Sequence, residues 1–281
     1  MKGEDPGFRV GFDHIIPQIW TLILAGFLSI YLKFFGKSDE VLTVFPETIA
    51  GASLNSIIFV APLFAIATVI YLLVKMGLIN IVRYLIRASL IFSTFLLTSW
   101  FASKYVEASQ MSGYAWLIMA LTSTFLTVIL ISAVYRCGGL IHAISLASIG
   151  SMTGSFLATV IPFLSAIVLL GALTLYDLIS VYKGPVGKLA RNQSLEDLTG
   201  AVFNVGDLTV GVGDMVFYSM LASVAFSSFG PITYMMVSFG ILFGTYLDIR
   251  ILESTHYIPG LPIPVTFGLA ILFICSLILG L

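Results

Sequence analysis

The sequence predicts an all-α polytopic membrane protein of nine transmembrane helices, on three observations. Hydrophobic residues make up 59% of the 281 and charged ones 10%, against roughly 25% charged in a soluble domain. Mean hydropathy is +1.07. The apolar residues fall into runs of about 20, the length that crosses a bilayer as a helix, with polar or turn-forming breaks between them. A formal net charge of −1 with basic residues scattered in ones and twos gives no surface for nucleic acid. Cys137 and Cys275 are too few and too far apart for a disulfide framework or a zinc site and read as packing residues.

Each span has its own boundaries. The first runs from Ile16 to Phe35, the second from Ile57 to Val74, the third from Tyr84 to Phe101 and the fourth from Tyr114 to Tyr135. The first is longer than a signal-peptide core and lacks a small-x-small cleavage site, so it reads as a retained helix. Gly139 to Tyr182 is too long for one helix and divides at Thr159 to Pro162 into spans five and six. The seventh covers Leu208 to Ser227, the eighth Ile232 to Asp248 and the ninth Leu261 to Leu279, with Gly230-Pro231 ending one helix and starting the next. Lys183 to Asp207 reads as a loop with no core of its own. No internal repeat is visible. The chain is thus one membrane domain, residues 1–158 (spans one to five) as scaffold and 159–281 (spans six to nine) as the functional portion, with the 183–207 loop on its cytoplasmic side.

Grouping the N-terminus with every second connection places ten of the 13 Lys and Arg residues on one side, and leaves Lys33, Lys37 and Lys104 on the other. The positive-inside bias then puts the N-terminus and the 183–207 loop in the cytoplasm and the C-terminus outside.

Against that background two acids stand out. Asp177 lies in Leu173-Thr174-Leu175-Tyr176-Asp177-Leu178-Ile179, and Asp214 in Val210-Gly211-Val212-Gly213-Asp214-Met215. A carboxylate at membrane depth costs roughly 2.5–3.5 kcal/mol on the lenient insertion scale and marks a functional position. Six residues separate Asp177 from the cytoplasmic end of span six, roughly 9 Å of helix, and seven separate Asp214 from the start of span seven, about 10 Å. The depths agree, so the acids are expected to meet. Thr174, Asp177 and Ser180 line one face, as do Asp207, Gly211, Asp214 and Tyr218. Gly211 and Gly213 leave room for a facing helix or a substrate. Two adjacent carboxyls share a proton, with a bell-shaped pH profile, and such a pair activates water against a peptide carbonyl, as in aspartic proteases.

His256-Tyr257-Ile258-Pro259-Gly260-Leu261-Pro262-Ile263-Pro264 opens the ninth span with three prolines in six residues. Prolines block helix, so the stretch is expected to be extended and to offer a backbone edge to a substrate unwound into a strand. Other polar residues read as structural: Asp207 as a solvated interfacial acid, Asp248 and Arg250 as interfacial anchors, and His142 as a hydrogen-bonded packing residue. No His/Cys/carboxylate cluster has metal-ligand spacing, and no cofactor is expected. No serine sits in a motif with a His or Lys partner.

Tyr176-Asp177, Gly211-Val212-Gly213-Asp214 and Pro259-Gly260-Leu261-Pro262, in this order and on these spans, resemble the three signatures of the presenilin and signal peptide peptidase family, the GxGD intramembrane aspartyl proteases. Phe217-Tyr218-Ser219-Met220-Leu221 and the cytoplasmic N-terminus resemble the presenilin branch. The resemblance implies a presenilin-like nine-helix fold with Asp177 and Asp214 as the catalytic pair. It also implies that Tyr176, Gly211, Val212, Gly213, Pro259, Gly260, Leu261 and Pro262 contact the substrate. Implied partners are the transmembrane helices of membrane-protein substrates and the lipid bilayer, with no accessory subunit required and oligomerisation left open. Gly260 stands where the family usually has alanine, and Val212 where presenilins carry leucine. The short 183–207 loop points to a stand-alone enzyme of a prokaryotic cell membrane without autoproteolytic maturation. A proton-coupled transporter or channel using the same acids is the alternative. A prepilin-type peptidase is disfavoured by Val216, where that group has a basic residue.

Overall fold

A computed structural model of the chain describes residues 14–36, 45–46, 48–109, 113–183, 202–205, 208–252 and 259–279. Among the described residues there are nine helices and one hairpin. The helices are α1 (Ile16–Phe35), α2 (Ile49–Lys75), α3 (Ile79–Ser109), α4 (Ala115–Arg136), α5 (Gly139–Val160), α6 (Phe163–Lys183), α7 (Val212–Phe229), α8 (Pro231–Leu252) and α9 (Pro262–Leu279). The strands β1 (Val202–Val205) and β2 (Leu208–Gly211) lie between α6 and α7. Seven helices are long and apolar enough to cross a membrane, and α6 and α9 contribute shorter apolar helices over Phe163–Ile179 and Pro262–Ile278. The protein is therefore a multi-pass integral membrane protein with a wide belt of exposed side chains such as Phe92, Phe125 and Phe239.

The breaks between helices follow local chemistry. Pro162 disfavours helix at Ile161, where α5 stops, and its carbonyl accepts the Ala166 N–H at 2.8 Å to begin α6. Gly230 ends α7 with φ of 87°, a conformation that L side chains resist, and Pro231 starts α8. Pro262 and Pro264 occupy the first turn of α9, where helical N–H groups have no intrahelical partner to lose.

Helix α5 is the centre of the molecule. Apolar burial drives little association between helices in lipid, so small residues and hydrogen bonds decide the packing. Its stripe of Gly150, Gly154 and Ser155 lies flush on α7: a Cβ at Gly150 would come within 2.9 Å of Met215 Cβ, and one at Gly154 would run into Ser219 and the Val216 carbonyl. Ser155 and Ser223 hydroxyls meet at 3.1 Å. On its other side α5 holds α1, with Trp20 Nε1 donating to Ser148 at 2.8 Å and Ser151 donating to the Thr21 carbonyl at 3.0 Å. Thr98 and Thr127 join α3 to α4 at 3.0 Å, and Asn55 and Ser56 join α2 to Ser165 of α6.

Several boundaries move from expectation. Helix α2 starts eight residues before Ile57 because Thr48 caps it, its hydroxyl accepting the Gly51 N–H at 3.1 Å. The seventh span is not helical from Leu208: Leu208–Gly211 is a strand, antiparallel to β1 with Val202 opposite Gly211 and Val205 opposite Leu208. Val202, Phe203, Val205, Thr209 and Val210 are strand formers, and β1 lies alongside α5. The 183–207 segment thus contains a docked strand rather than only loop, while residues 184–201 and 206–207 lie outside the described residues.

Candidate active site

Asp177 sits on α6 two turns before its end, and Asp214 in the first turn of α7. The two are close enough to interact electrostatically. What draws them together is the short link from α8 to α9. Leu261 donates its backbone N–H to Asp177 Oδ2 at 3.1 Å. The preceding residue, Gly260, lies against the other acid: a Cβ there would collide with Asp214 Oδ2 and stand 3.1 Å from its Cγ. Consecutive residues of one loop therefore touch both carboxyls.

The loop is held from two sides. Tyr218, one turn after Asp214 and buried, donates its hydroxyl to the Gly260 carbonyl at 2.7 Å. Thr245 of α8 lies within hydrogen-bonding reach of the same phenol. Gly244 lets α8 approach the start of α9, just after the loop, since a Cβ there would lie 2.6 Å from Pro264 Cα and 3.1 Å from the Ile263 carbonyl. Leu261 and Pro259 are buried, and the Leu261 carbonyl accepts the Val265 N–H at 3.1 Å as α9 begins.

No protein-family model matches the sequence, and no curated protein matches it. Among solved structures, a presenilin family intramembrane aspartate protease in the C222 space group matches with a TM-score of 0.65 at 17% identity, over 94% of this chain and 97% of that one. A presenilin family intramembrane aspartate protease in the P2 space group matches with a TM-score of 0.65 at 16% identity, over 96% of this chain and 99% of that one. The fold is presenilin-like. At such identity the likeness concerns architecture, and the chemistry of this chain must be argued from its own residues.

Within the presenilin-like frame the expected residues are distributed unevenly. Asp177, Asp214, Gly260 and Leu261 converge. Tyr176 is half-buried beside Asp177 on α6, and Pro262 begins α9. Val212 is the first residue of α7, with its carbonyl 3.4 Å from where a Cβ of Gly150 would lie. The glycines do not serve as a notch for a facing helix. A Cβ at Gly211 would meet only the Asp214 carboxylate at ordinary contact distance, 3.6 Å, and one at Gly213 would meet nothing within 4 Å. Nor is there a helical seam from Asp207 to Asp214, because Gly211 ends β2 with extended backbone and caps α7. Asp207 and the His256-Tyr257-Ile258 part of the proline-rich stretch lie outside the described residues.

Three other residues depart from or extend the expectation. Asp248 is not an interfacial anchor. It is 9% exposed, and it lies near enough to Asp177, Asp214 and Tyr218 to act on their charge. Cys137 caps α4 in an exposed position rather than packing inside, whereas Cys275 is buried with its thiol 3.7 Å from Met236 Sδ. His142 does pack as expected, with Nδ1 2.7 Å from the Val134 carbonyl. Tyr218 stands in the sequence as a member of a polar face and of the Phe217–Leu221 motif, and neither announces that it holds the loop. Among the described residues no group of His, Cys, Asp and Glu could hold a metal ion.

Proposed function

We propose that the protein is an intramembrane aspartyl endopeptidase that cuts transmembrane segments of other membrane proteins. The observation that carries this reading is the contact of Gly260 and Leu261 with Asp214 and Asp177, which gives two carboxyls one site at one end of a presenilin-like fold. Asp177 accepts a backbone N–H, a bond that favours a carboxylate over a carboxylic acid, so Asp177 is the base. It takes a proton from water as the water oxygen bonds to the scissile carbonyl carbon. Asp214, carrying the shared proton, donates a hydrogen bond to the developing oxyanion. The C–N bond then breaks as the amine receives a proton from the pair, and both acids return to their starting state.

An extended substrate segment has a place to lie. Among the described residues β2 pairs only with β1, so its second edge offers N–H and C=O groups to a partner strand, and β2 leads directly to Asp214. The open space beside Gly213 lies on that path. Tyr176, Gly211, Val212, Pro259 and Pro262 complete the proposed substrate contacts. All nine helices span the bilayer in this reading, with the N-terminus and the acids toward the cytoplasm.

The test is cleavage of a transmembrane reporter peptide by detergent-solubilised protein. Asp177→Asn and Asp214→Asn should each lower turnover by at least about a thousandfold with the melting temperature kept. Residual cutting by either variant, or proton-linked flux in liposomes with no cutting by the intact chain, would return the acids to a transport role.

A further inference from the structure

Asp248 lies on α8 three residues after Thr245 and four after Gly244, so the three share the helix face that meets Tyr218 and the start of α9. Its side chain is nine-tenths buried, and Oδ1 has no hydrogen-bond partner among the described residues. The titratable groups facing it are Asp177 from α6 and Asp214 and Tyr218 from α7. Helix α9 carries no Lys, Arg, His, Asp or Glu. On α8 itself Arg250 is exposed and turns to Tyr246, with Nε 3.1 Å from its hydroxyl. Helix α1 meets α8 through Tyr234, near the opposite end.

Three carboxyls are thus near enough to interact, and the Leu261 N–H given to Asp177 is the backbone donor seen to reach them among the described residues. Like charges this close do not all ionise together, and the unpaired carboxylate oxygen of the buried Asp248 is costly unless a proton neutralises it. We propose that Asp248 is a third acid of the site, a positioning residue that carries a proton in the resting enzyme and, on losing it as pH rises, sets the upper pH to which the Asp177–Asp214 pair keeps its one proton. This rests on the protease reading and adds that the proton inventory belongs to three carboxyls. Asp248 touches no reacting atom. The proton remains within the cluster, and no bond to substrate is made.

The experiment compares pH–cleavage profiles of the intact chain, Asp248→Asn, Asp248→Ser and Asp248→Glu with one reporter peptide, alongside melting temperature. A neutral stand-in for a protonated acid should fold and still cut, with turnover lower by no more than about tenfold. Where Asp248 would have lost its proton, its absence removes a like charge and makes the pair's remaining proton easier to lose, so the alkaline limb of the profile should move to lower pH by roughly one unit while the acidic limb stays in place. Asp248→Glu should move the alkaline limb back. A profile for Asp248→Asn that superimposes on that of the intact chain would overturn the inference while leaving the protease reading in place. So would folded but inactive Asn and Ser variants, or failure of both to fold, since either means that a neutral side chain does not stand in for Asp248. Absence of any cutting by the intact chain condemns the protease reading instead.

Discussion

Gly213 separates stability from activity at a single residue. It is the second residue of α7, and a methyl group there would meet nothing within 4 Å. Gly213→Ala should therefore leave the fold intact and stabilise it by about 0.5–1 kcal/mol, through the lower entropy of the unfolded chain. If an extended substrate passes over this position, the same methyl group should raise KM or lower kcat/KM by tenfold or more. Melting temperature and cleavage kinetics on one preparation decide it, and a variant that is stabilised and fully active would move the substrate path elsewhere. Asp214 was legible in the sequence because an acid in an apolar run is expensive. Asp248 satisfied the same rule but sat at the predicted end of a span, where an acid is cheap. Only α8's continuation to Leu252 and its packing on α7 and α9 place Asp248 inside.

At the scale of elements, the link from α8 to α9 depends on Tyr218. Its hydroxyl is the described side-chain donor to the Gly260 carbonyl, so Tyr218→Phe leaves a part-buried acceptor without that donor and should cost about 1 kcal/mol. It should also loosen the bond from Leu261 to Asp177 and lower kcat more than it raises KM. Equal kcat with a lower melting temperature would show that the phenol supports the fold alone. The helices themselves were largely readable, because apolar length and Gly-Pro or lone-Pro breaks are local signals: α1 begins and ends where expected, and α5 gives way to α6 at Pro162. The hairpin was not. Leu208 to Gly211 is apolar enough to pass as the start of a membrane helix, and its strand conformation is decided by pairing with Val202–Val205, a partner that no periodicity within the span reveals. Gly260 was legible as small, but the reason it must be small, the Asp214 carboxylate, is a tertiary fact.

For the whole molecule, the chain carries its own reporter of orientation. Cys137 is exposed at the connection from α4 to α5, while Cys275 is buried in α9. If the charge bias sets the topology, a membrane-impermeant maleimide should label intact cells poorly at Cys137 and label it fully in inverted vesicles, with Cys137→Ser abolishing the signal. Labelling from outside intact cells would invert the topology and put the two acids at the external face. The contact between α5 and α7 bears on how such a molecule is made. Helix α7 has the lowest mean hydropathy of the seven candidate spans, 1.3, and its Ser219 and Ser223 meet α5 at the Gly150 carbonyl and Ser155. Ribosomal synthesis delivers α5 before α7, so the least apolar of these spans reaches the lipid when its docking groove is already present. The chain's own order then acts as its chaperone: the helix that bears Asp214 meets a neighbour inserted earlier, and a fragment beginning after α5 would lose that anchorage.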